Sequence, residues 1–290
     1  MTINTYSPRG LRLDQYVIEN RPLLSRAYAA KLINEGVVLV NGAVEKPGYR
    51  LRADDMVEIN FDQSSLKVIP EIKLPIIYED KDVLVVDKPS GVISHARGKY
   101  WDEPSVASFL RQYINDNNQD DDRLASRAGI VHRLDRFTSG VMICAKNQDS
   151  LRYLQKQFND RSVEKTYIAL IKGHLKNEEA VIDMPIERNP KQPSTFRVGP
   201  NGKAATTQYR VLQKNVSYEL VELKPKTGRT HQIRVHLKKL NHPIVGDKLY
   251  GGEAAARLML HARDLTIQLP DGKARTFIST VPEEFNKYLQ

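Results

Sequence analysis

Along the chain the apolar positions follow two periods, and the change from one to the other divides it. Near the N-terminus Ala29, Leu32 and Ile33 recur at i, i+3 and i+4, the spacing of one face of a helix. The pattern predicts a helix from Arg26 to Glu35, with Ser25 as its N-cap and Gly36 in the left-handed position after its end. Arg26, Ala30 and Lys31 then lie nearer solvent. A shorter helix opens within 11–17. Val-Val-Leu-Val-Asn-Gly-Ala-Val (37–44) reads as a hairpin, two apolar runs joined by Asn41-Gly42, and 50–59 supplies a turn and a closing strand.

Beyond residue 75 a period of two prevails, interrupted by helices. Segments 76–78 and 83–86 read as short strands around an acidic turn, and 141–145 as an apolar strand led in by Thr138-Ser139-Gly140. Segment 163–173 puts Lys165, Tyr167, Ala169 and Ile171 on one strand face, with Thr166, Ile168 and Leu170 on the other. Two helices stand out. Leu151, Leu154 and Phe158 mark one; Ile233, Leu237 and Leu240 mark the second, capped by Thr230, with His231, Arg234 and Lys238 sharing another face. The stretch 115–123 has no apolar anchor and reads as a loop. The whole is an α+β chain, divided into a small domain at 1–64, a linker at 65–73 and a large mixed domain at 74–290.

Composition narrows the classes. The 290 residues are 40% hydrophobic and 27% charged, as in a folded protein, and no apolar run approaches the ~20 residues that span a bilayer. With no apolar leader at its start, a cytoplasmic address is expected. The single cysteine, Cys144, excludes an intrachain disulfide and any multi-cysteine metal site, and its apolar neighbours suggest a buried thiol. His231 and His236 find no partner at a ligand spacing, so no metal is assigned. The net charge of +9 suits a polyanionic partner. Residues 1–69 hold nine Lys/Arg against eight Asp/Glu, so nearly all of that excess sits in the larger part.

One cluster invites chemistry. His132, Arg133, Asp135, Arg136, Thr138 and Ser139 crowd between apolar runs, which is either a structural ion-pair knot or a carboxylate kept on a loop to react. Local spacing does not choose. Tyr167 offers a flat face for stacking and a hydroxyl, and Arg229 precedes the start of the second helix.

Two resemblances decide between them. The segment from Leu11 to Ile59, with Arg-Leu-Asp, Ser-Arg and Gly-x-Val-x-Val-Asn-Gly, resembles the S4 RNA-binding domain, which implies RNA contacts from Arg26, Lys31 and Asn41. By charge alone, Arg26 and Lys31 would simply solvate a helix face. Further on come Asp-Lys-Pro-Ser-Gly (87–91), His-Arg-Leu-Asp-Arg-Phe-Thr-Ser-Gly (132–140), Glu-Lys-Thr-Tyr (164–167) and Gly-Lys-Ala-Ala-Thr-Thr (202–207). Gly-Arg-Thr-His-Gln-Ile-Arg-Val-His-Leu (228–237), Gly-Asp-Lys-Leu-Tyr-Gly (246–251) and Leu-His-Ala (260–262) follow. Their order is that of the RluA-type pseudouridine synthases. The sequence departs from that family at Ala96, where it often has proline.

The resemblance implies a large, mainly antiparallel sheet flanked by helices. It also implies an enzyme that breaks the N1–C1′ bond of a uridine in RNA, rotates the uracil and rejoins it through C5, without a cofactor. By motif match Asp135 is the essential carboxylate, as nucleophile or base; Tyr167 lies against the base; and Arg229 pairs with the carboxylate. Arg133, His132 and Lys165 are RNA-binding candidates, Arg133 filling the place of an extruded base or meeting a phosphate. A monomer acting on structured ribosomal RNA, away from any membrane, is expected. Two other readings remain: a non-catalytic RNA-binding assembly factor on the same fold, and a glycosidase using Asp135, which needs a second acid that the motifs lack.

Overall fold

A computed structural model describes residues 4–6, 10–21, 24, 26–61, 70–95, 103–116 and 129–290. Ser25, linker residues 65–69, Ala96 and most of the acidic stretch 115–123 lie outside them. The chain forms two compact units, one of residues 1–72 with 95–128 and the other of 73–94 with 129–290.

In the first unit β1 (Asn4–Tyr6), β2 (Val38–Val40) and β3 (Met56–Ile59) form an antiparallel sheet in the order β1-β3-β2, beside α1 (Leu13–Asn20) and α2 (Arg26–Asn34). Ala29, Leu32 and Ile33 are buried as their spacing requires, packing with Leu13, Val17, Val38 and Val57. Asn41 and Gly42 both take positive φ, 51° and 78°, the pair a tight hairpin turn needs. The expected hairpin is nevertheless cut short. After the turn only Ala43 bridges back to Val40, and β2 pairs instead with β3, because Glu45, Lys46, Pro47 and Gly48 make a poor strand. A helix not anticipated from sequence, α3 (Val106–Asp116), also belongs to this unit. Its start is fixed by Ser105 and Ser108, each hydroxyl accepting the other's backbone N–H.

The second unit is built on a nine-stranded sheet. Its strands are β4 (Ile76–Glu79), β5 (Val83–Lys88), β6 (Ser139–Ala145), β7 (Glu164–Lys172), β8 (Glu179–Asp183), β11 (Thr206–Lys214), β12 (Tyr218–Pro225), β13 (Leu260–Gln268) and β14 (Ala274–Ile278). They run β4-β5-β6-β13-β7-β12-β11-β8, with β14 against β13, and β9 (Ile186–Arg188) pairs separately with β10 (Phe196–Val198). Every pairing is antiparallel except β6 with β13. Helices α4 (Gln148–Asp160) and α5 (Gln232–Lys239) complete the unit, and a 3₁₀ turn at Glu283–Tyr288 buries Phe285. No helix among the described residues is long and apolar enough to cross a membrane.

The parallel seam is where the site is positioned. All seven residues of β6 are buried, Cys144 among them with its thiol pKa pushed up by burial. At its start Gly140 faces Ala262, and a Cβ built there would come 2.1 Å from the Ala262 carbonyl oxygen. Its φ of 117° also belongs to glycine. The strand begins at Ser139, two residues earlier than the expected lead-in turn allowed.

Immediately before β6 the loop carrying Asp135 is fastened to the end of β5. Lys88, fully buried, donates through Nζ to the carbonyls of Pro89, Val92 and Arg136 at 2.9, 2.8 and 3.1 Å. Gly91 N–H reaches Arg136 O, Ser90 Oγ reaches Phe137 O, and Ser94 Oγ bridges the N–H and C=O of Leu134. Burial pulls the Lys88 pKa down to about 7, against the opposing pull of Asp135.

Two outcomes follow from this framework. Gly140→Ala should lower unfolding free energy by about 3 kcal/mol or more, since both the carbonyl contact and the backbone angle oppose a side chain; chemical denaturation measures it. Lys88→Met should also destabilise, with a pH signature. From about pH 7 to 10.5 the unfolded chain holds the lysine proton more often than the folded one, so this group makes wild-type stability rise with pH. The stability gap between wild type and Lys88→Met should therefore widen from pH 7 to 10. A gap that stays constant would mean that Lys88 keeps its ordinary basicity.

Candidate active site

A pocket of about 430 Å³ opens beside the anchored loop. Asp135 enters it from the loop, Tyr167 and Lys165 from β7, Leu260 from β13, and Ile233 and Arg234 from α5. Arg133, Arg161, Lys165, Lys226 and Arg229 give its lining a basic character. Among the described residues lining it, Asp135 carries the only carboxylate.

The cation beside that carboxylate is Arg234, with Nη1 3.5 Å from Asp135 Oδ2. This corrects the expected pairing with Arg229. Arg234 is buried and held by Asp247, which accepts from its Nε at 2.7 Å and its Nη2 at 2.8 Å. Such a two-point grip fixes the guanidinium plane and leaves its third nitrogen for Asp135. Asp247 also accepts the backbone N–H groups of Leu249 and Tyr250, and the Arg234 guanidinium lies 4.9 Å from the centre of the Tyr250 ring.

Arg229 lines the same pocket, but its Nε donates to Ala204 O at 3.1 Å. The turn that carries it is clamped by Gln232, whose Oε1 accepts from Thr227 Oγ1 and Arg229 N and whose Nε2 donates to Thr206 O and Thr207 Oγ1. The residue at the helix start is His231, not the expected Thr230, and it takes a left-handed φ of 56°. The basic face proposed for this helix is likewise not a surface. Arg234 is buried with the apolar residues around it, and only Lys238 of the trio is exposed.

Tyr167 and Asp135 share the pocket, and burial followed by the Asp135 charge pushes the Tyr167 phenol pKa up. The hydroxyl thus stays protonated at neutral pH. The Lys165 ammonium is made less basic by burial and by Lys226. His132 is occupied internally. Burial, with help from Lys165, drops its pKa to about 3, its Nε2 accepts the Ile143 N–H at 3.1 Å, and its ring stacks on Phe158 at 4.5 Å. Arg133 is exposed at the pocket.

In the first unit the expected RNA-binding residues are exposed and also have partners within the unit. Arg26 donates to Asp14 through Nε and Nη2, Lys31 lies 3.7 Å from Glu35, and Asn41 bonds Asp55 Oδ1 and the Met56 N–H. Asn41 therefore supports the turn.

Sequence reasoning missed Arg234, Asp247, Lys88 and the pair His231–Tyr250 as parts of the site. All five lie inside the motifs quoted above, so their presence there was the available signal; what was missing was which side chains face one another.

Residues 82–239 match the RNA pseudouridylate synthase family, and residues 11–57 match the S4 domain. A ribosomal large subunit pseudouridine synthase D of Borreliella burgdorferi is 38% identical, over 98% of this chain and 90% of that protein. A synthase of the same name from Escherichia coli is 35% identical, over 94% of this chain and 78% of that protein. A ribosomal large subunit pseudouridine synthase C from Vibrio cholerae is 33% identical, over 90% and 86%. Among solved structures, human RNA pseudouridylate synthase domain containing 1 superposes with a TM-score of 0.57 at 30% identity, over 72% of this chain and 83% of that one. With a family match over residues 82–239 and relatives similar over nearly its whole length, the chain belongs to the RNA pseudouridylate synthases, of the RluA type with an S4 domain.

Proposed function

We propose that this protein converts uridines of large-subunit ribosomal RNA to pseudouridine, with Asp135 as the carboxylate that acts at C1′. We assign catalysis to residues 74–290 and a supporting RNA-binding role to residues 1–64. The observation that carries the reading is a single carboxylate beside a buried arginine, in a pocket that also holds a tyrosine ring. The names of the bacterial relatives support the ribosomal target.

The chemistry follows from the side chains. A uridine turned out of its stack, at a cost of a few kcal/mol, enters with its ribose toward Asp135. The Arg234 guanidinium is directed at Oδ2 and orients the carboxylate to act as nucleophile or base. Once the N1–C1′ bond breaks, the free uracil has to stay near C1′ while it turns. Tyr167, Ile233 and Leu260 supply a surface for it, which keeps the second bond-forming step within one encounter. C5 then attaches and loses its proton, and N1, freed from C1′, takes one up, so the composition is unchanged. A phenol that stays protonated is a hydrogen-bond donor, so we give that proton to water or Asp135 rather than to Tyr167. The isomerisation neither oxidises nor adds an atom and needs no cofactor.

Basic side chains around the pocket fit the RNA backbone, and Arg133 is our candidate to fill the vacated stack or hold a phosphate. A glycosidase of the usual kind needs a second carboxylate, and Asp247 is already engaged by Arg234.

The test is to incubate the protein with an unmodified large-subunit ribosomal RNA transcript and map pseudouridine at single-nucleotide resolution. Wild type should produce one or a few modified positions. Asp135→Asn should fold, bind the transcript as wild type does and produce none. Turnover by Asp135→Asn would remove Asp135 from its role, whereas RNA binding without modification by wild type would favour a non-catalytic factor.

A further inference from the structure

One pocket residue not used by the steps above is held from several sides. His231 sits in a left-handed backbone conformation that a residue with a side chain seldom adopts, at the first turn of α5. Its Nδ1 lies 2.8 Å from Tyr250 Oη, and its Nε2 lies 3.9 Å from Asp135 Oδ2.

The proton positions follow from Tyr250. Its oxygen accepts the Phe196 N–H at 3.0 Å, a bond in which the backbone nitrogen is necessarily the donor. Tyr250 is nearly buried, and the acceptor on hand for its own proton is His231 Nδ1. Nδ1 therefore accepts, and Nε2 carries the hydrogen of the neutral ring. Burial keeps the ring neutral, outweighing the opposite pull of Asp135. Phe196 and Tyr250 both meet the imidazole edge-on, with ring centres 5.6 Å away, which fixes its plane. The outcome is an N–H of settled tautomer beside the Asp135 carboxylate, too far from it for a direct hydrogen bond.

We propose that His231 is a catalytic residue whose Nε2–H donates to a carbonyl oxygen of the uracil as it leaves C1′. This rests on the uridine isomerisation proposed above. When the N1–C1′ bond breaks heterolytically, the bonding electrons go to the base and negative charge spreads to its carbonyl oxygens. A donor already fixed in place gains most at that moment, because nothing has to reorganise. A ring with a settled tautomer and low basicity suits a donor better than a proton shuttle.

Three variants of the full chain separate this role from a structural one. A glutamine amide reaches about as far as Nε2 and restores a donor there; an asparagine amide reaches about as far as Nδ1 and restores only the Tyr250 side. Stability should run the other way, because asparagine tolerates left-handed φ better than glutamine or alanine. With the large-subunit transcript, His231→Gln should keep kcat within about tenfold of wild type. His231→Asn and His231→Ala should lose about 10²-fold in kcat with little change in KM. Melting temperatures should place Asn above Gln and Ala. A folded Asn variant with near-wild-type kcat, or activities that follow the stability order, would overturn the proposal; the Asn variant alone decides if Gln fails to fold. Absence of pseudouridine with the wild-type protein would instead remove the functional reading beneath it.

Discussion

The pocket is organised by a guanidinium taken out of water. Arg234 is buried, and a buried cation is tolerated only when paired and hydrogen-bonded. Asp247 satisfies two of its nitrogens in a fixed plane, and Asp135 faces the third. Two carboxylates therefore share one charge unequally: Asp247 holds it by two short bonds, and Asp135 stands at 3.5 Å. Reversing the distances would bind Asp135 more tightly and leave it less available for the role proposed above.

Rigidity around that centre comes from backbone groups. Lys88 spends its donors on three carbonyls, and Gln232 ties the turn before α5 to β11. Neither side chain needs to touch a nucleotide to matter. Each fixes the backbone beside a reactive group, so the position of Asp135 depends on β5 and that of Arg234 on β11 and β12. The one parallel pairing in the sheet lets β13 run beside β6 at the point where Leu260 of β13 and Thr138, just before β6, line the pocket.

Much of this was legible in the sequence. Period-two runs gave the strands, the 3.6 period gave α2, α4 and α5, and two residues of the ordered motifs, Asp135 and Tyr167, do line one pocket. What failed was the assignment of partners. The motif 228–237 holds two arginines, and helical spacing put Arg234 on a face with Lys238, which looks like a solvated stripe. Only the location of Asp247 turns that face inward, and that is tertiary information. Asn41-Gly42 shows the same division: its turn angles were readable from two residues, but whether β2 pairs with the next segment or with β3 was not. His132 looked like an RNA contact because it sits in a polar cluster, yet the Ile143 N–H takes up its ring nitrogen.

The clamp between Asp247 and Arg234 also bears on how the protein is made. As the chain emerges during translation, the Asp135 loop appears with its β5 anchor already in place, while the cation that faces it and the carboxylate that holds the cation come much later. A nascent chain that stops short of Asp247 has no carboxylate to hold the Arg234 guanidinium in the plane that faces Asp135. The surroundings of Asp135 thus depend on a carboxylate that lies far later in the chain than Asp135 itself.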